Sequence, residues 1–361
     1  MAGPPVIFVD TNTIWHRRFA EALSEVCPTI ALEPRGGFGR IGKSSSRVDG
    51  ALETVSVLLP PGWASKTAFV GQRLLARHVL NAAGKFARTP VVILTSPKYS
   101  PLAFLLHGRL PLVYYCADDY TQYEGWGGAE VARAEEAIVQ RVERAIFVSS
   151  ALERRATQLY GIDRARCIVS PNATEPRFAH RGRADAQPLA GWERPIVGVM
   201  GVLSRRIDVD LLWRAAEATG VGTLAIIGSP QLEGATRRLE AHPRVAFTGA
   251  VPHSIVHEYS AALDFALIPY APMPLNFSCS PMRLYDHLAA GVPIFATDAC
   301  DQINEMQAED LLVSPPGELP SRLESALSGF GAGRSARAAE AKPSIFWSHR
   351  AQAVASSLDS I

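Results

Sequence analysis

A short stretch in the second half of the chain combines residues that suit the binding of a diphosphate. Ser280 and Pro281 fit the N-cap and first position of a helix, and Gly291 fits the position after its end. Free backbone N–H groups at a helix start bind phosphate oxygens. Arg283 and Asp286 lie three residues apart on one face of this helix. The spacing predicts a guanidinium for the pyrophosphate and a carboxylate for the ribose of a nucleotide, or else an ordinary surface ion pair.

A second candidate site opens the second half of the chain. An apolar run ends at Gly201, and Ser204, Arg205 and Arg206 follow before the next helix. The carboxyl ends of parallel strands are where open α/β sheets bind ligands, so we expect Gly201, Ser204 and Arg205 at such an edge. A solvent-exposed arginine pair neutralised by two nearby aspartates is the alternative.

Two carboxylates, Asp118 and Asp119, follow the apolar run Leu112–Cys116. Adjacent residues on an extended chain point to opposite sides, so one of the two faces a given cleft. Like-charge proximity and partial burial raise the pKa of a carboxylate, which suits a general base. The alternative is a pair of loop carboxylates that cap the next helix.

Short apolar runs rich in β-branched residues alternate with helical patterns along the whole chain, which is typical of parallel sheets covered on both faces. The runs form two series, which predict an α/β protein with two doubly wound, Rossmann-like domains. Residues 176–195 lack periodicity and predict a linker. The predicted domains are residues 1–178 and 190–343, with residues 344–361 as a final helix. The predicted strands are Val6–Val9, Thr54–Leu59, Val91–Leu94, Leu112–Cys116, Ala145–Val148, Cys167–Val169, Ile196–Met200, Thr223–Ile227, Val245–Thr248, Phe265–Ile268, Pro293–Ala296 and Leu311–Val313.

The composition narrows the class of protein. The 361 residues are 47% hydrophobic and 20% charged, which excludes a disordered or fibrous chain. Five cysteines without a C-x-x-C pair argue against a disulfide framework, and no signal peptide or membrane-spanning run is present, so we expect a cytoplasmic protein. Neither half has a G-x-G-x-x-G fingerprint, which disfavours hydride transfer. We expect no bound metal, no separate cofactor and no nucleic-acid partner.

The net charge of +1 conceals an asymmetry between the two halves. Residues 1–178 carry 21 basic against 16 acidic residues, and residues 179–361 carry 15 against 19. Residues 54–117 contain seven basic residues and no acidic one. Apolar residues at helical spacing from Phe69 to Phe86 predict an amphipathic basic helix that suits an anionic membrane surface. A solvated helix face, or a patch that attracts a soluble anionic acceptor, is the alternative.

Taken together, these motifs resemble the glycosyltransferases of the GT-B fold. The resemblance is strongest over residues 195–298, and the run from Ser280 to Pro293 is similar to the nucleotide-sugar motif of the large retaining family that builds bacterial envelope polysaccharides. Two glutamates eight positions apart are typical of that family, and Ser278 and Asp286 stand in their places here. The stretch Tyr115–Asp119 resembles the region of the catalytic aspartate in an inverting exopolysaccharide glucuronosyltransferase.

The resemblance implies two facing Rossmann-like domains with a cleft between them, and a last helix that crosses back to the first domain. It implies a metal-independent transferase that moves a sugar from a UDP- or GDP-linked donor to a cell-envelope or exopolysaccharide acceptor, which is a glycan or a lipid-linked sugar. The basic charge of residues 54–117, rather than the resemblance, predicts that the protein meets this acceptor at the inner face of the cytoplasmic membrane. Asp118 would remove the acceptor proton if the reaction inverts, and would position a substrate if it retains. A nucleotide-sugar epimerase of the same fold and a non-catalytic nucleotide-sugar-binding protein are the alternatives.

Overall fold

The computed structural model describes residues 3–179, 187–329 and 341–361. The chain forms two compact units, of which the first comprises Met1–Asn172 and Trp347–Ile361 and the second comprises Ala173–Phe346. Within the described residues, no helix is both long and apolar enough to cross a membrane.

The first unit contains an eight-stranded sheet in the order β3-β4-β2-β1-β5-β6-β7-β8. Its strands are β1 (Val6–Val9), β2 (Thr29–Gly36), β3 (Ser44–Asp49), β4 (Leu52–Leu59), β5 (Val91–Leu94), β6 (Leu112–Cys116), β7 (Arg144–Phe147) and β8 (Cys167–Val169). Its helices are α1 (Ile14–Ser24), α2 (Ala68–Ala83), α3 (Ser100–Leu106), α4 (Ala129–Val139), α5 (Ser150–Tyr160) and, last in the chain, α13 (Trp347–Leu358). Every strand pair is parallel except β3 with β4.

The second unit contains a six-stranded, fully parallel sheet in the order β11-β10-β9-β12-β13-β14. Its strands are β9 (Ile196–Met200), β10 (Thr223–Ile227), β11 (Val245–Gly249), β12 (Phe265–Ile268), β13 (Ile294–Thr297) and β14 (Leu311–Ser314). Its helices are α6 (Val209–Glu217), α7 (Glu233–Glu240), α8 (Val256–Ala262), α9 (Pro274–Phe277), α10 (Met282–Ala290), α11 (Asp301–Glu305) and α12 (Leu319–Ser328). The order reverses at β9, as in doubly wound folds. The fold class predicted for each half, an α/β Rossmann-like domain, is therefore confirmed.

Burial explains which strands the sequence predicts well. The four residues of β1 and of β5 are all buried, as continuous apolar runs in a sheet covered on both faces should be. The prediction missed β2 and β3. The apolar run of β2 is interrupted by Glu33 and Arg35, and β3 is an exposed, polar edge strand. Because β3 runs antiparallel to β4, the prediction of a purely parallel first sheet is wrong at this edge.

The structure also moves several predicted boundaries. The first unit ends at Asn172, before the predicted end at 178, and part of the predicted linker, residues 180–186, lies outside the described residues. The cap of α10 is Pro281 and the helix begins at Met282, so the prediction of Ser280 as N-cap and Pro281 as first helical residue is wrong by one position. The helix ends at Ala290, and Gly291 caps it in the left-handed conformation (φ 63°), as predicted.

The helix at the end of the chain completes the first unit. Its buried residues include Ala351, Val354 and Leu358, and the ring of Trp347 lies 6.1 Å from that of Phe19 on α1. Packing of this apolar face holds α13 against the first unit, although 174 residues of the second unit separate it from the rest of that unit in sequence.

Candidate functional site

The carboxyl edge of β9 brings two predicted residues into direct contact. Gly201 follows β9 with φ 111°, and a Cβ atom at this position would lie 2.5 Å from the Nη2 atom of Arg283. Only glycine accepts both this backbone angle and the close approach of a guanidinium. The structure thus places the first turn of α10 against the end of β9, and so brings the two motifs of the sequence together.

Arg283 packs against an aromatic ring and keeps one buried hydrogen-bond donor unsatisfied within the described residues. Its guanidinium lies 5.6 Å from the ring centre of Tyr270, which follows β12, and among the described residues its buried Nη1 atom has no hydrogen-bond partner. A buried cationic donor without a partner is costly, because it has lost its water without gaining a protein acceptor. An anionic oxygen at this point would satisfy the donor.

The loop between β9 and α6 divides its two arginines between different environments. Arg206 donates from Nε to Asn276 Oδ1 at 2.8 Å, and its guanidinium lies on Tyr270 at 5.6 Å. Arg205 is exposed in a turn, and the Ser204 hydroxyl oxygen accepts the Arg206 N–H at 3.4 Å. The helix α6 begins at Val209 after the N-cap Asp208, so both arginines lie in the loop that leads into it, as the sequence predicts. The role of Ser204 and Arg205 in donor binding stays a prediction.

Asp286 lies almost completely buried one helical turn after Arg283. Its Oδ1 accepts a hydrogen bond of 2.5 Å from the Thr174 hydroxyl. Burial raises the pKa of Asp286 to about 7, assisted by the nearby charge of Glu175 and opposed by Thr174 and Arg283. The carboxyl group therefore gains or loses its proton near neutral pH, and it is oriented by a hydroxyl that the sequence analysis did not single out. No feature of the sequence links Thr174 to Asp286.

In the first unit, the two predicted carboxylates follow β6 and are both buried, with different partners. Asp118 Oδ2 accepts the hydroxyl of Tyr123 at 2.9 Å, and its Oδ1 accepts the Asp119 N–H at 3.0 Å. Asp119 accepts the Thr121 N–H as the cap of a short 3-10 turn, and its Oδ2 lies 3.5 Å from Arg155 Nε. Asp119 thus has the capping role that was the alternative interpretation. Asp118 is held instead by the Tyr123 hydroxyl and the Asp119 N–H.

A group that the sequence analysis missed lies at the ends of β1 and β5. Asp10 adopts φ 78°, and its Oδ2 pairs with Lys98 Nζ at 2.6 Å and accepts the Tyr99 hydroxyl at 2.8 Å. Burial opposes ionisation of Asp10, but Lys98 and Tyr99 hold its pKa below the usual range. The signal in the sequence was an aspartate directly after the first apolar strand. Backbone strain of this kind often accompanies function.

No group of three or more metal-binding side chains occurs within the described ranges. Both units instead place a charged side chain at the carboxyl end of a parallel strand: Arg283 on α10 lies against Gly201 after β9, and Asp10 and Asp118 follow β1 and β6. This is the architecture of a GT-B glycosyltransferase chain, in which each half is a Rossmann-like domain.

Comparisons with known proteins agree with this class. Residues 25–173 match the family described as Glycosyl transferase 4-like domain, and residues 194–329 match the family described as Glycosyl transferases group 1. Together these ranges cover most of the chain, which belongs to the glycosyltransferases of the GT-B fold.

One curated relative is similar over part of its length. It is the putative teichuronic acid biosynthesis glycosyltransferase TuaH of Bacillus subtilis (strain 168), 25% identical over 172 residues. The match covers 46% of this chain and 43% of the relative, so the aligned part spans less than half of either protein.

Solved structures share the fold over nearly the whole chain. The E. coli trehalose-6-phosphate protein bound with UDP-2-fluoro glucose superposes with a TM-score of 0.72 at 12% identity, covering 99% of both chains. Sucrose-phosphate synthase from Thermosynechococcus elongatus has a TM-score of 0.68 at 15% identity, and the match covers 98% of this chain and 94% of that one. Anabaena Alr3699/HepE in complex with UDP has a TM-score of 0.66 at 16% identity, and the match covers 98% of this chain and 95% of that one. At these identities the likeness concerns the fold.

Proposed function

We propose that the chain transfers a sugar from a nucleotide-sugar donor to a cell-envelope or exopolysaccharide acceptor, with the donor bound by the second unit and the acceptor by the first. One observation carries the proposal: the buried Nη1 atom of Arg283 has no hydrogen-bond partner in the described part of the chain. The guanidinium group to which this atom belongs is packed against Gly201. A diphosphate oxygen supplies the missing acceptor and charge. Arg283 would thus stabilise the nucleoside diphosphate as it leaves.

The donor is expected to carry uridine. UDP and GDP both suit a diphosphate site, and two structural neighbours are complexes with UDP or a UDP sugar, which favours UDP. A thermal-shift panel with UDP, GDP and ADP tests the choice on the full chain. We expect the largest rise in melting temperature with UDP, because a ligand that binds only the folded state stabilises it. No shift with any of the three nucleotides would contradict the donor site.

The envelope acceptor is supported by the relative named for teichuronic acid biosynthesis. Transfer requires both substrates, whereas a nucleotide-sugar epimerase turns over its donor without an acceptor, and a binding protein releases no sugar. Incubation of the chain with UDP sugars, with and without membrane lipid extract, distinguishes the three. We expect UDP release that depends on the extract.

Catalysis without a metal ion follows from the positive charge at the donor site. Arg283, assisted by Arg205, would neutralise the leaving diphosphate, which is the task of a divalent cation in other transferases. Transfer measured in excess EDTA should keep the rate seen without chelator. A loss of activity that magnesium or manganese restores would contradict this part of the proposal.

Asp118 is the proposed catalytic residue of the first unit. Its carboxylate accepts a hydrogen bond from the Tyr123 hydroxyl. It follows the buried strand β6, and ligands of parallel sheets bind at such strand ends. In an inverting reaction Asp118 accepts the proton of the acceptor hydroxyl, and in a retaining one it positions a substrate. The anomeric configuration of the product, read by NMR, decides between the two roles.

The basic helix α2 is the proposed membrane-binding element. Phe69, predicted in its apolar stripe, is 71% exposed rather than buried, and the guanidinium of Arg73 lies 3.5 Å from its ring centre. Val70 beside it is 51% exposed, whereas Leu75 and Val79 are buried against the unit. An exposed aromatic among cations suits the interface of an anionic bilayer.

Vesicle flotation tests this element. The full chain should float with anionic vesicles at low salt and should stay behind with neutral vesicles, because attraction to the surface is screened by salt. The variant Arg73→Glu/Arg77→Glu should lose flotation, and Arg133→Glu on the exposed side of α4 is the matched control. Absence of the wild-type chain from the anionic vesicle fraction would contradict the proposal.

A further inference from the structure

Three arginines converge on one buried carboxylate in the first unit. Glu33 on β2 is completely buried, and its carboxylate contacts Arg35 Nη2 at 2.8 Å, Arg17 Nη2 at 2.9 Å and Arg47 Nη2 at 3.7 Å. The hydroxyl of Thr11 donates to Glu33 Oε1 at 3.0 Å. The arginines come from three elements, namely α1, β2 and β3.

The charges of this arginine cluster, defined as Arg17, Arg35 and Arg47, do not balance. Burial opposes ionisation of Glu33, but hydrogen bonds from Arg35 and Thr11 and the charge of Arg17 hold its pKa below the usual range. One carboxylate therefore faces three guanidinium groups. Across residues 3–179, 187–329 and 341–361, none of the three arginines forms an ion pair with another carboxylate. One arginine would suffice to satisfy Glu33, so stability alone does not account for the cluster.

The guanidinium groups remain available to a ligand. The side chains of Arg35 and Arg47 are 59% and 54% exposed, and that of Arg17 is 31% exposed. Each contacts Glu33 through one terminal nitrogen, whereas a guanidinium carries five N–H donors in a fork that matches carboxylate and phosphate oxygens. Glu33 acts as the common anchor that holds the three forks in one place.

The cluster lies across three strands beside the end of β1. Glu33 is level with Asp10, which follows β1, because the Asp10 N–H donates to the carbonyl of Leu32 at 2.8 Å. Glu33 pairs with Ser56 on β4, and Arg47 on β3 pairs with Thr54, the third residue of β4. The cluster therefore spans β2, β4 and β3 and adjoins the carboxyl end of β1 that carries Asp10, where ligands of such sheets bind.

We propose that the arginine cluster binds an oxyanion, a carboxylate or a phosphate, on the acceptor sugar. The term acceptor rests on the proposed transferase function, whereas the anion site is a property of the first unit and is tested without transfer. Two or three guanidinium groups on one oxyanion give charge-assisted, bidentate bonds. The site would select charged acceptors over neutral ones, because a neutral sugar leaves the net positive charge unbalanced.

Binding of three matched sugars to the full chain tests the site. Glucose 6-phosphate carries a phosphate, glucuronate carries a carboxylate, and glucose carries neither. We expect at least one of the two anions to bind at least tenfold more tightly than glucose, measured by ligand-observed NMR at low salt, and the tighter of the two identifies the anion. Equal binding of all three sugars, or binding of none, would overturn the proposal.

The variant Arg35→Gln/Arg47→Gln probes the cluster itself. Both side chains are more than half exposed and Arg17 still pairs with Glu33, so the fold should survive, which circular dichroism checks. We expect at least a tenfold loss of anion binding and an unchanged affinity for UDP, with Arg133→Gln as control. Unchanged anion affinity in the double variant would overturn the assignment. A chain that binds the anion but transfers no sugar would refute the proposed function and leave this site intact.

Discussion

At the carboxyl edge of β9, Arg283 keeps a buried nitrogen without a partner in the described structure, whereas at the carboxyl edge of β6, Asp119 is paired with Arg155. An unpaired buried cation is tolerated where a ligand supplies the anion. A carboxylate fixed by neighbours is suited to holding its geometry whether or not a ligand is present. The two sites therefore differ: among the described residues, Arg283 keeps a hydrogen-bond donor that no protein group satisfies, whereas Asp119 is already paired with a cation.

The sharpest way to break this comparison is to remove one carboxylate after β6. Asp118→Asn should lower turnover by about 10²–10⁴-fold, because loss of a general base has this effect, while UDP affinity stays the same. The rate is measured at saturating donor with calorimetry on UDP. Asp119→Asn is the control, and we expect it to reduce mainly thermal stability, since Asp119 caps a turn and pairs with Arg155. An inactive Asp119→Asn beside an active Asp118→Asn would reverse the two roles.

The next largest expected effect is the pH dependence of the free energy of unfolding that Asp286 causes. Its pKa is raised from 3.8 to about 7, so the folded state holds a proton that the unfolded state has released between about pH 4 and 7. Stability must fall as pH rises through this window, by about 4 kcal/mol at most. Asp286→Asn should remove this pH dependence, and urea unfolding at pH 5 and pH 8 measures it. An unchanged difference between the two pH values would contradict the raised pKa.

Arg283→Ala tests the unpaired charge directly. Hydrogen bonds between a charged group and a phosphate are worth about 1.5–3 kcal/mol, so UDP affinity should fall by about 10–100-fold. Calorimetry gives the affinity, and Arg322→Ala on the exposed face of α12 is the matched control. If both variants bind UDP as the wild type does, the donor site lies elsewhere.

Gly201→Ala has the smallest expected effect and refines the previous test. The added Cβ would lie 2.5 Å from Arg283 Nη2 and must displace the guanidinium, which should weaken UDP binding by up to about tenfold. Because the effect acts through Arg283, the double variant Gly201→Ala/Arg283→Ala should bind UDP no more weakly than Arg283→Ala alone. Additive losses would show that Gly201 acts independently of Arg283, through its backbone conformation or through its own contact with the nucleotide.

The sequence allowed good prediction of features that depend on continuous apolar runs. Strands such as β9, β10 and β12 were predicted with their observed bounds, because every residue in them is buried. The strand β2 was not predicted, because its charged residue Glu33 interrupts the apolar run. Glu33 is nevertheless buried, since arginines on other elements pair with it. Burial of a charge depends on partners far away in sequence, which periodicity does not detect.

One physical reason explains which residues of the candidate site the sequence singled out and which it did not. Gly201 and Arg283 were each singled out from a local motif, and the structure adds that they touch. Asp10 and Thr174 were missed, because their importance lies in partners distant in sequence: Lys98 for one, Asp286 for the other. Local spacing identifies helix starts and strand ends, but it does not identify which of them become neighbours.

The helix α13 makes the second unit an insertion within the first. During synthesis, residues 1–172 leave the ribosome well before Trp347 is made. The face of α1 around Phe19 therefore stays without its partner helix α13 until the second unit has emerged. The first unit is therefore completed after the second, in the reverse of their order along the chain. For the same reason, a chimaera that exchanges the second unit has to replace residues 173–346 as a cassette with two junctions, since a single cut after residue 172 would leave the first unit without its last helix.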